Sequence, residues 1–307
     1  MQTNDVPILI IIFNRPDKVR QLIDSLSCIK PSKIYITADG PRPTHAADQK
    51  LCEDARRIAT DIPWQCEIFT NFSDLNLGCK IGVSTGISWF FAHETEGIIL
   101  EDDCLPDPSF FPFCAEMLEK YRHESQIMHI NGTSFLPTQA ETPTEEDYYF
   151  SHISHSWGWA TWKRAWEHFD VDMQELPKLK KVLQDNGMFL HQKHVCFWQK
   201  LLLHIKYVQA DSWANPWQYT ILINNGLCIT PIVNLIDNIG FDTDATHTTK
   251  TPKFIQHTRS LGDSDIAHPA NVTAAKEYDA TVMDTVYVRR PLQRALSLLQ
   301  KWYHSYT

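Results

Sequence analysis

Between residues 6 and 121, short aliphatic runs alternate with helical segments four times, and this alternation leaves few folds open. Val6–Phe13 is almost wholly aliphatic, as a strand covered on both faces must be. Pro16 then opens a segment in which Val19, Leu22, Ile23 and Leu26 recur at i, i+3, i+4 and i+7. That spacing predicts an amphipathic helix with proline in its first turn. The pattern repeats with strand Ile34–Ala38 and a charged helix over 48–60, strand Cys66–Thr70 and helix Gly82–Phe91, and strand Gly97–Leu100 and helix Phe110–Tyr121. Strands joined through helices run parallel, so the expectation is an α/β fold: a Rossmann-like, mostly parallel sheet with helices on both faces.

Ligands of such sheets bind beyond the carboxyl ends of the strands. Three polar clusters fall there: Asn14-Arg15 after the first strand, Asp39 after the second, and Glu101-Asp102-Asp103 after the fourth. The acidic triplet follows Ile98-Ile99-Leu100 with no turn residue between. Three carboxylates leaving a buried strand repel one another. A hard divalent cation, Mn2+ or Mg2+, is the partner that carboxylate oxygens suit, often sharing them with substrate phosphates. A solvated acidic turn is the bland alternative.

Other classes are disfavoured. With 28 Lys+Arg against 37 Asp+Glu and a net charge of -9, no basic face is expected for nucleic acid. No GxGxxG and no GxxxxGK[ST] is present, which argues against a dinucleotide oxidoreductase and a P-loop NTPase. Gly78, Gly82 and Gly86 form a GxxxGxxxG series that suits close helix packing. The eight cysteines are scattered without a CxxC pair and read as reduced thiols. The opening residues lack a basic signal-peptide region, and an eight-residue apolar run is short of the about 20 residues a membrane span needs. A cytoplasmic location is therefore expected.

The strings PILIIIFNRPDKVRQLIDSL, IYITADGPR, NLGCKIGVSTGISWFF and GIILEDDCLPDPSFFPFCAEML together resemble the nucleotide-binding half of a GT-A glycosyltransferase. They are similar to bacterial nucleotide-diphospho-sugar transferases of the haemolytic-protein-like group, and more distantly to the N-acetylglucosaminyltransferase I family. SHSWGWATWKRAW and NGLCITPIVNLIDNIGFDTDATHT resemble the second half of the bacterial group. The resemblance implies a metal-dependent, inverting transfer from a UDP-sugar to a glycan or lipid-linked glycan acceptor in bacterial surface polysaccharide synthesis. It implies that Asp103 and His247 hold the metal, that Glu101 and Asp102 contact the ribose or a metal-bound water, and that Arg15 lies near the phosphates. Phe13 and Asn14 would line the base pocket, Asp39 would accept a hydrogen bond from uracil, and Asn76 and Gly78 would approach the nucleotide. A metal-dependent nucleotidyltransferase or phosphohydrolase, and a non-enzymatic carbohydrate-binding or lytic protein, are the alternative readings.

The halves divide as 1–135 for the nucleotide-sugar, 136–250 for the acceptor, and 251–307 as a C-terminal extension. Trp157, Gly158, Trp159 and Trp213 are the candidate acceptor contacts, since indoles stack on the apolar faces of sugars. Trp159, Trp162 and Trp166, spaced i, i+3, i+7, fit equally well as one buried helix face. Asp211 is the leading general base, although the acid that the related families carry directly after Trp213 is absent; Asp237, Asp242 and Asp244 are alternatives. His152/His155 and His191/His194 are HxxH pairs with no third ligand at family spacing. Finally, residues 288–307 hold Arg289, Arg290, Arg294 and Lys301 with no acid. A basic amphipathic helix of that kind can lie on anionic lipid or dock on the catalytic domain.

Overall fold

The computed structural model describes residues 5–137, 145–241, 258–262 and 265–288. His247, Asp242, Asp244 and the basic C-terminal helix lie outside the described residues. The elements in chain order are β1 (Ile8–Ile12), α1 (Pro16–Leu26), β2 (Lys33–Ala38), α2 (Asp48–Thr60), β3 (Glu67–Phe72), α3 (Gly78–His93), β4 (Glu96–Glu101), β5 (Cys104–Pro106), α4 (Phe110–Lys120) and β6 (Ile127–Asn131). They continue with β7 (Tyr148–Ser151), β8 (Trp159–Trp162), α5 (Lys163–Trp166), α6 (Leu179–Asp185), α7 (Gln192–Tyr207), α8 (Ala214–Ile223), β9 (Leu227–Pro231), β10 (Ile236–Asn238) and α9 (Lys276–Val282), which runs into a π-helical turn at Met283–Tyr287.

Among the described residues, eight strands form one sheet in the order β3-β2-β1-β4-β8-β6-β9-β7. The first four are parallel, as the alternation predicts. β8 then enters antiparallel between β4 and β6, so strands from before and after residue 135 interleave in a single sheet. The tryptophan spacing does not mark one helix face. Trp159 and Trp162 sit on β8 and only Trp166 on a helix. β8 is buried at every position, so both sides of the strand take large apolar residues and the period of two is lost.

Every residue of β1 is buried. Val19, Leu22, Ile23 and Leu26 of α1 are 0% exposed, and each such side chain contributes roughly 1.5–3 kcal/mol of gross burial. Register does the rest of the positioning. Ile12 pairs with Ala38 of β2, and Ile11 with Glu101 of β4. The residues that follow these three strands therefore emerge at one level, along one edge of the sheet. β1 lies between β2 and β4, so α1 and the connection after β4 depart on either side of a point where strand order reverses.

Helix α3 comes down closely over β2, and its three glycines explain how. A Cβ at Gly86 would lie 2.6 Å from the Thr37 side chain, at Gly82 3.3 Å from the Asp39 carboxyl, and at Gly78 2.9 Å from Asp211. Gly78 also has φ +79°, a conformation side-chain-bearing residues rarely adopt.

Candidate functional site

Arg15 stands at the start of α1 and reaches across to the acids that end β4. Its Nε donates to Asp102 Oδ2 at 3.3 Å and its Nη1 to Asp103 Oδ2 at 3.1 Å, while Nη2 donates to Asp102 Oδ1. Asp102 is 1% exposed and also accepts from the backbone N–H of Phe13. Its carboxylate is fully engaged within the protein. Burial pushes it up to about 6, against the pull of Arg15.

The other two acids point elsewhere. Glu101 Oε1 accepts from Trp213 Nε1 at 3.3 Å. Burial, then Asp103 and Asp102, push its carboxyl up to about 8. Asp103 remains half-buried, with Asn238 Nδ2 3.4 Å from Oδ1. β10 pairs with β5 to bring Asn238 opposite Cys104, and a Cβ on Gly240 would lie 2.4 Å from Asp103 Oδ2. The segment after β10 thus packs directly on the Asp103 carboxylate.

A second cluster flanks the first. Asn14 Nδ2 donates to Asp48 Oδ1 at 2.8 Å. Arg42 grips the same carboxylate through Nε at 2.6 Å and Nη2 at 3.0 Å. The Arg42 hydrogen bonds hold Asp48 down at about 2. The Arg42 guanidinium lies 5.4 Å from the centre of the Phe13 ring, a cation–π distance. Sequence reasoning reached Phe13 and Asn14 but missed Arg42 and Asp48. An acid opening a helix reads as a dipole partner, and only the fold shows it 2% exposed and shared by two side chains.

Asp39, Asn76 and Gly78 are brought together, but as partners of one another. Asp39 accepts from Asn76 Nδ2 at 3.0 Å and from the backbone N–H groups of Leu77 at 2.8 Å, Gly78 at 3.0 Å and Gly40 at 2.9 Å. The carboxylate is occupied in holding the loop before α3. Asp211 serves the same helix. It accepts from the N–H of Cys79 at 3.0 Å and of Lys80 at 2.6 Å, satisfying N–H groups that a helix start leaves unpaired. Asp237 accepts from Thr258 N–H and Oγ1, both at 3.2 Å.

Beyond Trp213 opens a cavity of about 290 Å³ whose lining includes Trp157, Trp198, Trp213, Trp217, His155 and Tyr287. Trp157 is partly exposed and sits edge-on to Phe135 and Phe241, each 5.4 Å away. Trp159 is 0% exposed and lies between His129 and Trp213, stacked on both at 4.9 and 5.4 Å. No face of its indole is left for a ligand, so it supports Trp213 from beneath. The close approach at Gly158 is to Ile236, whose Cδ1 would be 2.4 Å from a Cβ there. His129 accepts from Trp217 Nε1 at Nδ1, 3.1 Å, and donates from Nε2 to the His155 carbonyl at 3.1 Å. Burial lowers both His129 and His155 to about 3, so both are neutral.

Among the described residues no three His, Cys, Asp or Glu side chains gather to hold a metal by themselves. The HxxH pairs follow suit: His152 bonds the Gly226 carbonyl at 3.1 Å and His194 bonds Asp284 at 2.9 Å. What the acidic end of β4 fits is an ion that takes one or two protein carboxylates, with Asp103 the accessible one, and completes its shell from substrate phosphate and water.

No family model matches the chain, and no curated protein matches its sequence. Among solved structures, the mannosyltransferase PcManGT from Pyrobaculum calidifontis, in complex with GDP-Man and Mn2+, is similar over 71% of this chain and 68% of its own. The identity is 11% and the TM-score 0.37, a likeness too slight to carry the functional assignment, which rests on the geometry above.

Proposed function

We propose that the chain is a metal-dependent glycosyltransferase that takes a nucleotide-diphospho-sugar, a UDP-sugar on the sequence resemblance, and transfers the sugar to a glycan hydroxyl. One observation carries this reading: Arg15 after β1 and Asp102-Asp103 after β4 face each other across the point where strand order reverses. That crevice is where open α/β sheets bind nucleotides. The Phe13 ring with Arg42 over it offers a stacking surface for a base. Asp39, through Asn76 and Gly78, fixes the loop on the far side.

Asp103, with His247 as the expected second ligand, would hold Mn2+ or Mg2+. Such an ion, when bound, neutralises a leaving diphosphate. Arg15 bonds both acids, and would stay paired with Asp102 where Asp103 holds the ion. Trp213 and Trp157 line the space on the other side of Glu101, which suits an acceptor presented in line with the donor. Inversion, a role in bacterial surface polysaccharide and a site at the inner membrane face belong to the same reading. No helix among the described residues is long and apolar enough to cross a membrane.

A thermal-shift panel of UDP, GDP, their sugars and free diphosphate, with Mn2+ or with EDTA, tests it. Nucleoside diphosphates should raise the melting temperature in Mn2+ and not in EDTA. A response to diphosphate as large as to every nucleotide would contradict the base-stacking surface and favour a phosphohydrolase.

A further inference from the structure

The geometry points to the cavity beyond Trp213 as a site for a neutral pyranose ring, the non-reducing end of the acceptor, recognised without any ionic contact. The inference deepens the transfer reading and rests on it for direction, because Trp213 joins the cavity wall to Glu101 through its Nε1 hydrogen bond.

No Lys, Arg, Asp or Glu is among the described residues that line the cavity. A uronate, a sialate or a phosphate entering it would be desolvated with no counter-charge from those residues, which strongly disfavours binding. The walls are aromatic, and four indoles reach them. Two have their N–H groups engaged, Trp213 by Glu101 and Trp217 by His129. Trp198 is 2% exposed, and its Nε1 is buried with no hydrogen-bond partner among the described residues. Asn215 and Ser156 add neutral polar groups to the lining. Apolar ring faces with a few placed donors are what recognises a sugar's C–H face and its hydroxyls. The size agrees: about 290 Å³ is at the small end of the roughly 300–1,000 Å³ of small-molecule sites, room for one ring or two, not an extended chain.

The cavity is closed by the last described element. The Tyr287 ring lies tilted against Trp198, 5.4 Å between centres, with its hydroxyl 3.5 Å from His155 Nδ1. Tyr287 and Trp157 are walls of the cavity that hydrogen-bond neither Arg15 nor Asp103.

Saturation-transfer NMR on the whole chain, with neither nucleotide nor metal, tests the inference. The probes are methyl glycosides of neutral hexoses and N-acetylhexosamines, set against methyl glucuronide and methyl sialoside. At least one neutral pyranoside should show transfer to its ring C–H protons, the two anionic glycosides none, and Trp157→Ala should weaken the signal at least tenfold. Tyr287→Phe, which keeps the wall and removes the hydroxyl, should bind within threefold of the native chain. The inference is overturned if no neutral glycoside binds, if an anionic one binds as well, if Trp157→Ala binds unchanged, or if UDP or GDP with Mn2+ displaces the glycoside and so occupies the cavity itself. Because the readout needs no donor, its failure is distinguishable from failure of the metal-dependent nucleotide site, and the reverse holds too.

Discussion

Arg15 is one guanidinium serving two carboxylates, and the consequences can be measured. Asp102 is buried, so Arg15→Met would leave it without its cation. Breaking a buried pair in this way costs about 3–5 kcal/mol. Arg15→Lys should recover only part of it, since an ammonium cannot span both acids as the planar fork does. Urea unfolding checks this, and a loss below about 1 kcal/mol for the methionine variant would mean the pair matters little. Gly240 gives a cleaner probe of the site. Its Cβ would fall 2.4 Å from Asp103 Oδ2, so Gly240→Ala should displace that carboxylate and weaken Mn2+-dependent nucleotide binding at least tenfold. The melting temperature should change little, and unchanged nucleotide affinity would remove Asp103 from the binding site. At this scale the sequence revealed the acids and Arg15 because they sit beside aliphatic runs. It did not reveal Arg42, Asp48, Asn238 or Gly240, whose parts depend on contacts between distant segments.

Helix α3 carries the sharpest divergence between the residue types and their use. Asp211 has the chemistry of a base, yet both its oxygens hold N–H groups at the start of α3. Asp211→Asn keeps one acceptor oxygen. It should therefore cost about 1 kcal/mol, the usual value of a cap, and lower turnover less than tenfold. A fall of roughly 10²–10⁴-fold with unchanged stability would instead establish Asp211 as the general base. The element pattern itself was legible for β1 to α4 except β5, because aliphatic runs and helical spacing alternate there; β5 is three residues long, too short to carry a period. It was not legible from residue 137 to 166. There β7 and β8 are buried at every position, and β8 inserts antiparallel between strands that precede it in sequence. No local period encodes such a placement.

At the scale of the whole molecule, the buried carboxylate that ties the C-terminal segment to the sheet is a group that titrates. Asp279 of α9 is 1% exposed and accepts from Ser151 Oγ at 2.5 Å and the His152 N–H at 2.9 Å on β7 and the residue after it. Burial pushes its carboxyl up to about 7. A carboxyl raised in the folded state binds its proton more tightly there than in the unfolded chain. Its contribution is full below about pH 4 and lost as pH rises through 7. Stability of the native chain should therefore fall between about pH 4 and 7 by up to about 1.4 kcal/mol per unit and level off above that, and Asp279→Asn should flatten that slope. Urea midpoints at several pH values decide it, and parallel curves would show that Asp279 does not titrate there. Trp213, which lines the aromatic cavity, donates to Glu101 at the end of β4, and so joins that cavity to the proposed nucleotide crevice. The central claim is that the crevice at the ends of β1 and β4 binds a nucleoside diphosphate through a metal held by Asp103. Calorimetry of UDP and GDP against the native chain and Asp103→Ala, each in Mn2+ and in EDTA, tests it most directly. Binding of at least one nucleotide to the native chain in Mn2+, lost in EDTA and lost in a folded Asp103→Ala, is the expected result. Equal nucleotide affinity with EDTA, or full affinity in the variant, would contradict it.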